Sequence, residues 1–376
     1  MVRYLFLIVS LFFVTCEAAQ PTVCLSMIVK NEKPVIARCL ESVQPIIDTW
    51  VIVDTGSTDG TQEYIKELMK NIPGELVERP WVDFAYNRNE ALELAKKKAD
   101  YVLVIDADDY LAYTKTADKQ ALPPLRRDGY FLNIQYGGMA YSRIAIVKSS
   151  VDWKWVGVVH EVLVADSAKS YGTIPDIKMI IAGGGNRSTD PDKYKKDAAL
   201  LEKAHAENPN ETRTVFYLAQ SYRDAGNNEK ALENYKKRVA MGGWDQEVFW
   251  SLYQIAGIQQ RMGNQEFIES YMEAYHYRPS RIEPLYSLAE YYLEQGNYST
   301  AYLLATEASK KPKSNDNLFV LENIYEYYIW MTLAEAAEGV GKKEEAKIAL
   351  EKIVNHPQAS NELKEEARAW LVDLAA

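Results

Sequence analysis

The sequence predicts two unlike parts in tandem: a Rossmann-like α/β domain built on a mixed sheet, then an all-α domain of helical repeats. Three observations carry this. Up to about residue 164 short apolar runs alternate with helical stretches, the pattern of a sheet with crossover helices. A breaker-rich segment, Ala182 to Pro191, then interrupts the chain. Beyond it every apolar pattern has helical period, and a glycine-ended helix recurs.

Taken in order, the chain opens with Arg3, an apolar run Tyr4 to Thr15, and the exit Cys16-Glu17-Ala18-Ala19-Gln20. A basic start, a short apolar core and small residues at the exit are the layout of a secretory signal peptide. A bilayer span needs about 20 apolar residues, so residues 1–19 read as a signal peptide or a short anchor. A hydrophobic first strand is the competing reading, but the strand pattern starts afresh at Val23. Thr15 makes Cys16 a poor lipidation site.

Val23 to Val29, Trp50 to Val53 and Tyr101 to Ile105 are continuous apolar runs of strand length, as expected for parallel strands buried on both faces. Val35 to Val43, Thr61 to Met69 and Asn87 to Lys98 have helical period. Tyr130 to Ile134, Arg143 to Val147 and Val158 to Leu163 read as shorter strands closing the sheet in antiparallel fashion. The expected boundaries are an α/β domain over 20–182, a glycine-rich connector over 183–195 and helices over 196–376.

In the tail, Gly226, Gly263, Gly296 and Gly341 follow one another at 37, 33 and 45 residues. The first two spacings are close to the roughly 34-residue tetratricopeptide period, and the third carries an insertion. Phe216 to Asn227 and Leu285 to Asn297 each lead a helix into such a turn, with small Ala219, Ala231, Ala289 and Ala301 where helices approach. This tail resembles a tetratricopeptide array. Its many tyrosines are interhelix packing or the lining of a peptide groove, and the array is expected either to bind an acceptor or to build a homodimer.

Composition narrows the function. With 43 Lys+Arg against 53 Asp+Glu the net charge is -10, and without a basic stripe nucleic acid is not an expected partner. Three cysteines and four histidines cannot build a disulfide framework or a structural zinc module. Cys24 and Cys39 are expected as buried free thiols, and any metal must be held mainly by carboxylates. Sequons at Asn186, Asn210 and Asn297 are acceptors only in a glycosylating lumen.

Ligands of open α/β sheets bind at the carboxyl ends of strands. Lys30-Asn31-Glu32, Asp54-Thr55-Gly56-Ser57 and Asp106-Ala107-Asp108-Asp109 therefore belong on one rim. The spacing of Asp106 and Asp108 lets two carboxylates face one divalent cation beside a pyrophosphate; an acidic helix or turn cap is the bland alternative. Asp54 at a strand end complements an N–H donor, whereas Asp59 reads as a cap. Arg88 approaches a phosphate or clamps the sheet edge.

Ser26 to Glu32, Val51 to Thr61, Asn87 to Leu92 and Ile105 to Asp109 together resemble the GT-A fold glycosyltransferases of family 2, over roughly residues 22–164. That resemblance implies Mn2+ or Mg2+ as cofactor and a nucleotide-sugar donor. Ile28, Lys30 and Asn31 would wall the nucleotide pocket, and Asp54 would accept from a base, most often uracil. Asp106 would reach the ribose or the metal, and Asp108 would bind the metal. Trp155 to Glu161 resembles a histidine–glutamate block of members with appended repeats, making Glu161 the candidate base and His160 a candidate metal ligand or a packed histidine. Regular strand alternation would point these two to opposite faces unless a bulge or strand end intervenes. Arg187 and Lys193 in the connector would close over the diphosphate, or the connector is a flexible linker.

The leading expectation is an inverting, metal-dependent transfer from a UDP-sugar to a protein, peptide or glycan acceptor. The alternative is a repeat-mediated interaction protein with an inactive transferase domain. A nucleotidyltransferase would need a basic triphosphate clamp that the sequence does not display. The N-terminal segment places the protein in the secretory lumen or at a membrane.

Overall fold

A computed structural model describes residues 20 to 375; the expected signal peptide or anchor, residues 1–19, lies outside them. Strand β1 (Val23–Val29) leads through α1 (Ile36–Val43) to β2 (Thr49–Asp54), α2 (Thr61–Leu68), β3 (Gly74–Glu78), α3 (Phe84–Ala95) and β4 (Tyr101–Val104). β1 lies between β2 and β4, with β3 beyond β2, all parallel. Helix α1 buries Ile36, Cys39, Leu40 and Val43, a stripe at helical spacing that covers one face of the sheet. Fully buried side chains such as Leu25, Ile36 and Ile52 each contribute about 1.5–3 kcal/mol. Cys24 and Cys39 are buried and unpaired, as expected.

The rest of the sheet comes from β5 (Asp109–Tyr113), β6 (Gly129–Tyr136), β7 (Met139–Lys148) and β10 (Tyr171–Ile181). The order is β3-β2-β1-β4-β7-β6-β10-β5, and β7 runs antiparallel to both β4 and β6. A separate hairpin holds β8 (Lys154–Val156) and β9 (Val162–Val164).

Two sequence expectations change here. The strand expected over Val158–Leu163 is broken: residues 157–161 form a loop between β8 and β9, with Gly157 and His160 at φ of 111° and 54°. The long strand β10 was not anticipated, because Pro175 interrupts its pattern. The ladder to β6 skips from Thr173 to Lys178, so a residue with no N–H to donate sits where no pairing is asked of it.

The helical part comprises α4 (Lys193–Glu207), α5 (Thr212–Asp224), α6 (Asn228–Met241), α7 (Asp245–Arg261), α8 (Phe267–Tyr277), α9 (Glu283–Glu294), α10 (Tyr298–Ser309), α11 (Ile329–Gly339), α12 (Lys343–Val354) and α13 (Asn361–Ala375). Gly226 and Gly296 take φ of 78° and 68°, the left-handed cap that ends a helix. The asparagine after each caps the next helix: Lys230 N–H donates to Asn227 and Thr300 N–H to Asn297.

The insertion in the third glycine spacing has a structural role that sequence did not disclose. It carries a short strand, β11 (Val320–Leu321), which pairs antiparallel with β7. Fully buried Arg281 holds the insertion through Glu283, Asp316 and the carbonyls of Leu318 and Phe319. The repeat array thereby extends the sheet of the α/β domain. No helix among the described residues is long and apolar enough to cross a membrane.

Candidate active site

The carboxyl ends of β1, β2 and β4 open into a cleft of about 730 Å³. Ile28, Lys30, Arg88, Asp106, Asp108, Arg187 and Lys193, all given a role from sequence, line it together. Glu32, Thr55, Trp81, Phe84, Asn186 and Lys196 complete much of the wall.

Arg88, on α3, is the hub. Its guanidinium donates to Asp106 at 2.6 Å, lies 3.7 Å from Glu161 and sits over the Trp155 ring at 5.0 Å. Arg143 on β7 adds contacts of 3.8 Å to Asp106 and 3.7 Å to Asp109. Burial opposes the charge on Asp106, yet Arg88 and Arg143 prevail and hold its carboxyl below the ordinary range. The opposite result holds at Asp109, which is pushed up to about 8 by burial and the neighbouring Asp106 charge, with Arg143 only partly offsetting them. Burial likewise raises the Glu161 carboxyl, partly offset by Arg88, and its Oε1 has no hydrogen-bond partner.

The connector folds over the cleft. Gly185 N–H approaches Asp108 at 3.3 Å and Asn186 N–H approaches the Glu32 carboxylate at 3.3 Å. A Cβ on Gly185 would stand 2.8 Å from Asp108 Oδ2 and 3.1 Å from Glu32 Oε2, so only glycine lets the backbone come this near. Burial, with the Asp108 and Asp106 charges added, raises Glu32 to about 7 although the Asn186 amide opposes it. Arg187 pairs with buried Asp197 on α4 and lies over the Phe84 ring. The connector is therefore a wall of the cleft.

Other sequence-selected residues stand outside the cleft lining, Glu161 among them, 3.7 Å from Arg88. Asp54 is fully buried; its Oδ1 accepts from Gly56, Ser57 and Gln62, while Oδ2 is unpartnered. Asn31, at φ 57°, accepts from Thr58 N–H and fastens the strand end to the β2–α2 loop. His160 keeps an exposed face, yet its ring stacks on Tyr217 of α5 at 4.2 Å. Crowding by protein, then the charges of Arg187, Arg213 and Lys193, push its imidazole down to about 3, so it is neutral at physiological pH.

Among the described residues no group of three or more His, Cys, Asp or Glu is arranged to hold a metal. A cation bridged to a diphosphate needs only one or two protein carboxylates. Asp108 fits that demand, and the Glu32 carboxylate flanks the same glycine. His160 faces the repeats instead.

Sequence reading placed Glu32 on the rim without a role and passed over Trp81, Phe84, Lys196 and Arg143. Trp81 carried a usable signal, a tryptophan beside Pro80 in a polar loop; it is 42% exposed. Arg143 carried none, because its partners lie just after β4 and on β5, more than thirty residues away.

With this geometry in view, the comparisons are specific. Residues 24–136 match the family model for glycosyl transferase family 2, and the helices α4 to α13 follow that matched segment. The SPbeta prophage-derived glycosyltransferase SunS of Bacillus subtilis is 26% identical over 59% of this chain and 54% of its own length. A TPR repeat-containing protein of Synechococcus elongatus is 33% identical over 40% of this chain and 37% of its own. The chain thus spans about half or less of these curated relatives. Weak structural likenesses extend to MamA (18% identity, 47% of this chain, 92% of that one, TM-score 0.36) and to Staphylococcus aureus TarS crystallised with UDP-GlcNAc (13%, 68%, 91%, TM-score 0.35).

Proposed function

We propose that this protein transfers a sugar from a nucleotide diphosphate donor, a UDP-sugar, to a protein, peptide or glycan acceptor, with inversion at the anomeric carbon and with Mn2+ or Mg2+. The observation that carries this is the cleft itself, where Asp106 and Asp108 at one strand end face Lys30, Arg88, Arg187, Lys193 and Lys196. Cations at the strand ends and connector suit a diphosphate, and the amino end of α4, at Lys193, adds the favourable dipole of a helix start. The exposed ring of Trp81 and that of Phe84 offer apolar surface for a base or sugar.

In the proposed reaction an acceptor hydroxyl attacks the anomeric carbon, its proton passing to Glu161 as the bond to the diphosphate breaks and the electron pair leaves with the phosphate oxygen. A base must be ionised yet basic enough to take the proton, and burial that raises the Glu161 carboxyl serves that need. Arg88 and Arg187 stand where negative charge gathers on the leaving group. Asp108, aided by Glu32, would hold the divalent cation, which supplies further charge neutralisation when bound. The unpartnered Oδ2 of Asp54 is an acceptor in search of an N–H, in keeping with a uracil ring.

The repeats are the proposed surface for a protein acceptor or a second copy of the chain. Residues 1–19 are proposed to deliver the protein to the secretory lumen or tether it to a membrane. The test is a thermal-shift panel with UDP, GDP, CMP and UDP-sugars, each with and without Mn2+. Stabilisation by UDP or a UDP-sugar that requires Mn2+ and grows with concentration supports the reading. No shift at millimolar ligand sinks it and favours the interaction-protein alternative.

A further inference from the structure

The proposed base is not on a strand. Glu161 ends the five-residue loop between β8 and β9, and the residue before it, His160, sits at φ 54°. A side chain other than glycine in this region costs roughly 1–2 kcal/mol, so the conformation must be held from outside. Asn89 on α3 fixes the start of the loop, exchanging hydrogen bonds of 2.8 and 3.0 Å with the Trp155 backbone. At the other end the support comes from the repeats. The Tyr217 ring lies parallel to the His160 imidazole, 4.2 Å away at an interplanar angle of 13°. Arg213 donates to the His160 carbonyl at 3.1 Å, and its guanidinium covers the other partner, the Tyr217 ring, at 4.6 Å. Arg213 is braced 3.8 Å from Glu247, a buried residue of α7. Val159 inserts into a cluster with Ala198, Leu201 and Leu218 of α4 and α5.

We infer that Tyr217 and Arg213 are positioning residues of the transfer: by clamping His160 they aim the Glu161 carboxylate toward Arg88, so helix α5 completes the active site. The inference rests on the proposed transferase reading. It gives the array a duty beyond docking an acceptor, since the loop that bears the base is closed on one side by α3 and on the other by α5. A displacement of about 1 Å at a reacting group can cost about 100-fold in rate.

The experiment uses the full chain and measures UDP release from UDP-glucose, UDP-galactose and UDP-N-acetylglucosamine with Mn2+, alongside hydrogen exchange of the amides of residues 157–161. Tyr217→Leu keeps an apolar side chain without the ring, Tyr217→Phe keeps the ring, and Arg213→Met keeps the stem without the guanidinium. Leu303→Ser, on the exposed face of α10, is the control. Tyr217→Leu and Arg213→Met are expected to lower kcat by about 10–100-fold with donor KM nearly unchanged and faster exchange in the loop, and Tyr217→Phe to restore kcat. If Tyr217→Leu keeps the kcat and loop protection of the unaltered chain, the inference is wrong while the transferase reading stands. If kcat falls together with nucleotide-induced thermal stabilisation, and Phe does not rescue it, the ring supports the fold and the inference is likewise wrong. An unaltered chain that releases UDP from none of the donors and binds no nucleotide removes both.

Discussion

Buried charge is treated in opposite ways by the repeats and by the cleft. In the repeats, fully buried Arg238 donates through both Nε and Nη2 to Glu247 and through Nη1 to the Gly242 carbonyl. Fully buried Arg281 is closed in by Glu283, Asp316 and two carbonyls. Around the cleft, Asp54 Oδ2, Arg88 Nε, Asp109 Oδ2, Arg143 Nε and Glu161 Oε1 are buried without a hydrogen bond. Farther along the repeats than Arg213, the unpartnered buried atoms among the described residues belong to neutral side chains. A structural ion pair must repay its desolvation within the protein, whereas a site keeps hydrogen-bonding capacity for a ligand. The difference separates charges that build the array from charges awaiting chemistry.

That contrast can be broken in several places. The largest effect belongs to the cleft: Glu161→Gln is expected to lower kcat by about 10³-fold while the melting temperature hardly moves, as turnover and thermal unfolding on the same preparation would show. Close behind, Asp108→Asn should reduce Mn2+-dependent turnover by about 100-fold or more with the fold intact. Unchanged turnover would remove Asp108 from the proposed metal site.

In the array the order of consequences reverses. Arg281→Met leaves buried Glu283 without its cation, although Asp316 keeps Arg278, and should cost about 3–5 kcal/mol of stability in urea unfolding. Adding Glu283→Leu should recover part of that loss, because an apolar pair leaves less charge unpaid. Recovery would be absent if Arg281 served mainly to fasten β11 through the Leu318 and Phe319 carbonyls.

The pH dependence sharpens the same comparison. Asp109 and Glu32 hold their protons more tightly in the fold than in the unfolded chain, with values near 8 and 7. Unfolding between the ordinary carboxylate range and those values therefore releases protons, so these two groups make stability fall as pH rises through that window. Asp109→Asn should flatten this slope and shift the melting temperature upward by roughly 2–4 °C at pH 8; a slope left unchanged would show that the Asp109 carboxyl ionises normally. The smallest effect is local to the array: Asn297→Ala removes the cap of α10 and should cost about 1 kcal/mol, measured by thermal unfolding.

Much of this was legible before any fold was built. Val51 to Val53 and Tyr101 to Val104 had to be strands because they are continuously apolar, and their polar ends had to share a rim because parallel strands end together. Gly226 and Gly296 announced helix ends because a glycine-ended helix recurs in the tail. Pro175 concealed β10, since a sequence pattern does not reveal which ladder position is spared. Val158 to Leu163 read as a strand because it is a short run of mixed polarity rich in valine; the loop there is imposed by packing against α4 and α5.

By itself the sequence determined the order of elements, the helical repeat and the set of polar strand ends, all consequences of local period and short spacing. Tertiary structure alone decided which charges meet. Arg143 reaches Asp106 and Asp109 only because β7 pairs antiparallel with β4, and Tyr217 reaches His160 only because β11 and the connector hold the repeats against the sheet. Such contacts join residues far apart in sequence, and their energies depend on burial that no single segment possesses before the chain closes on itself.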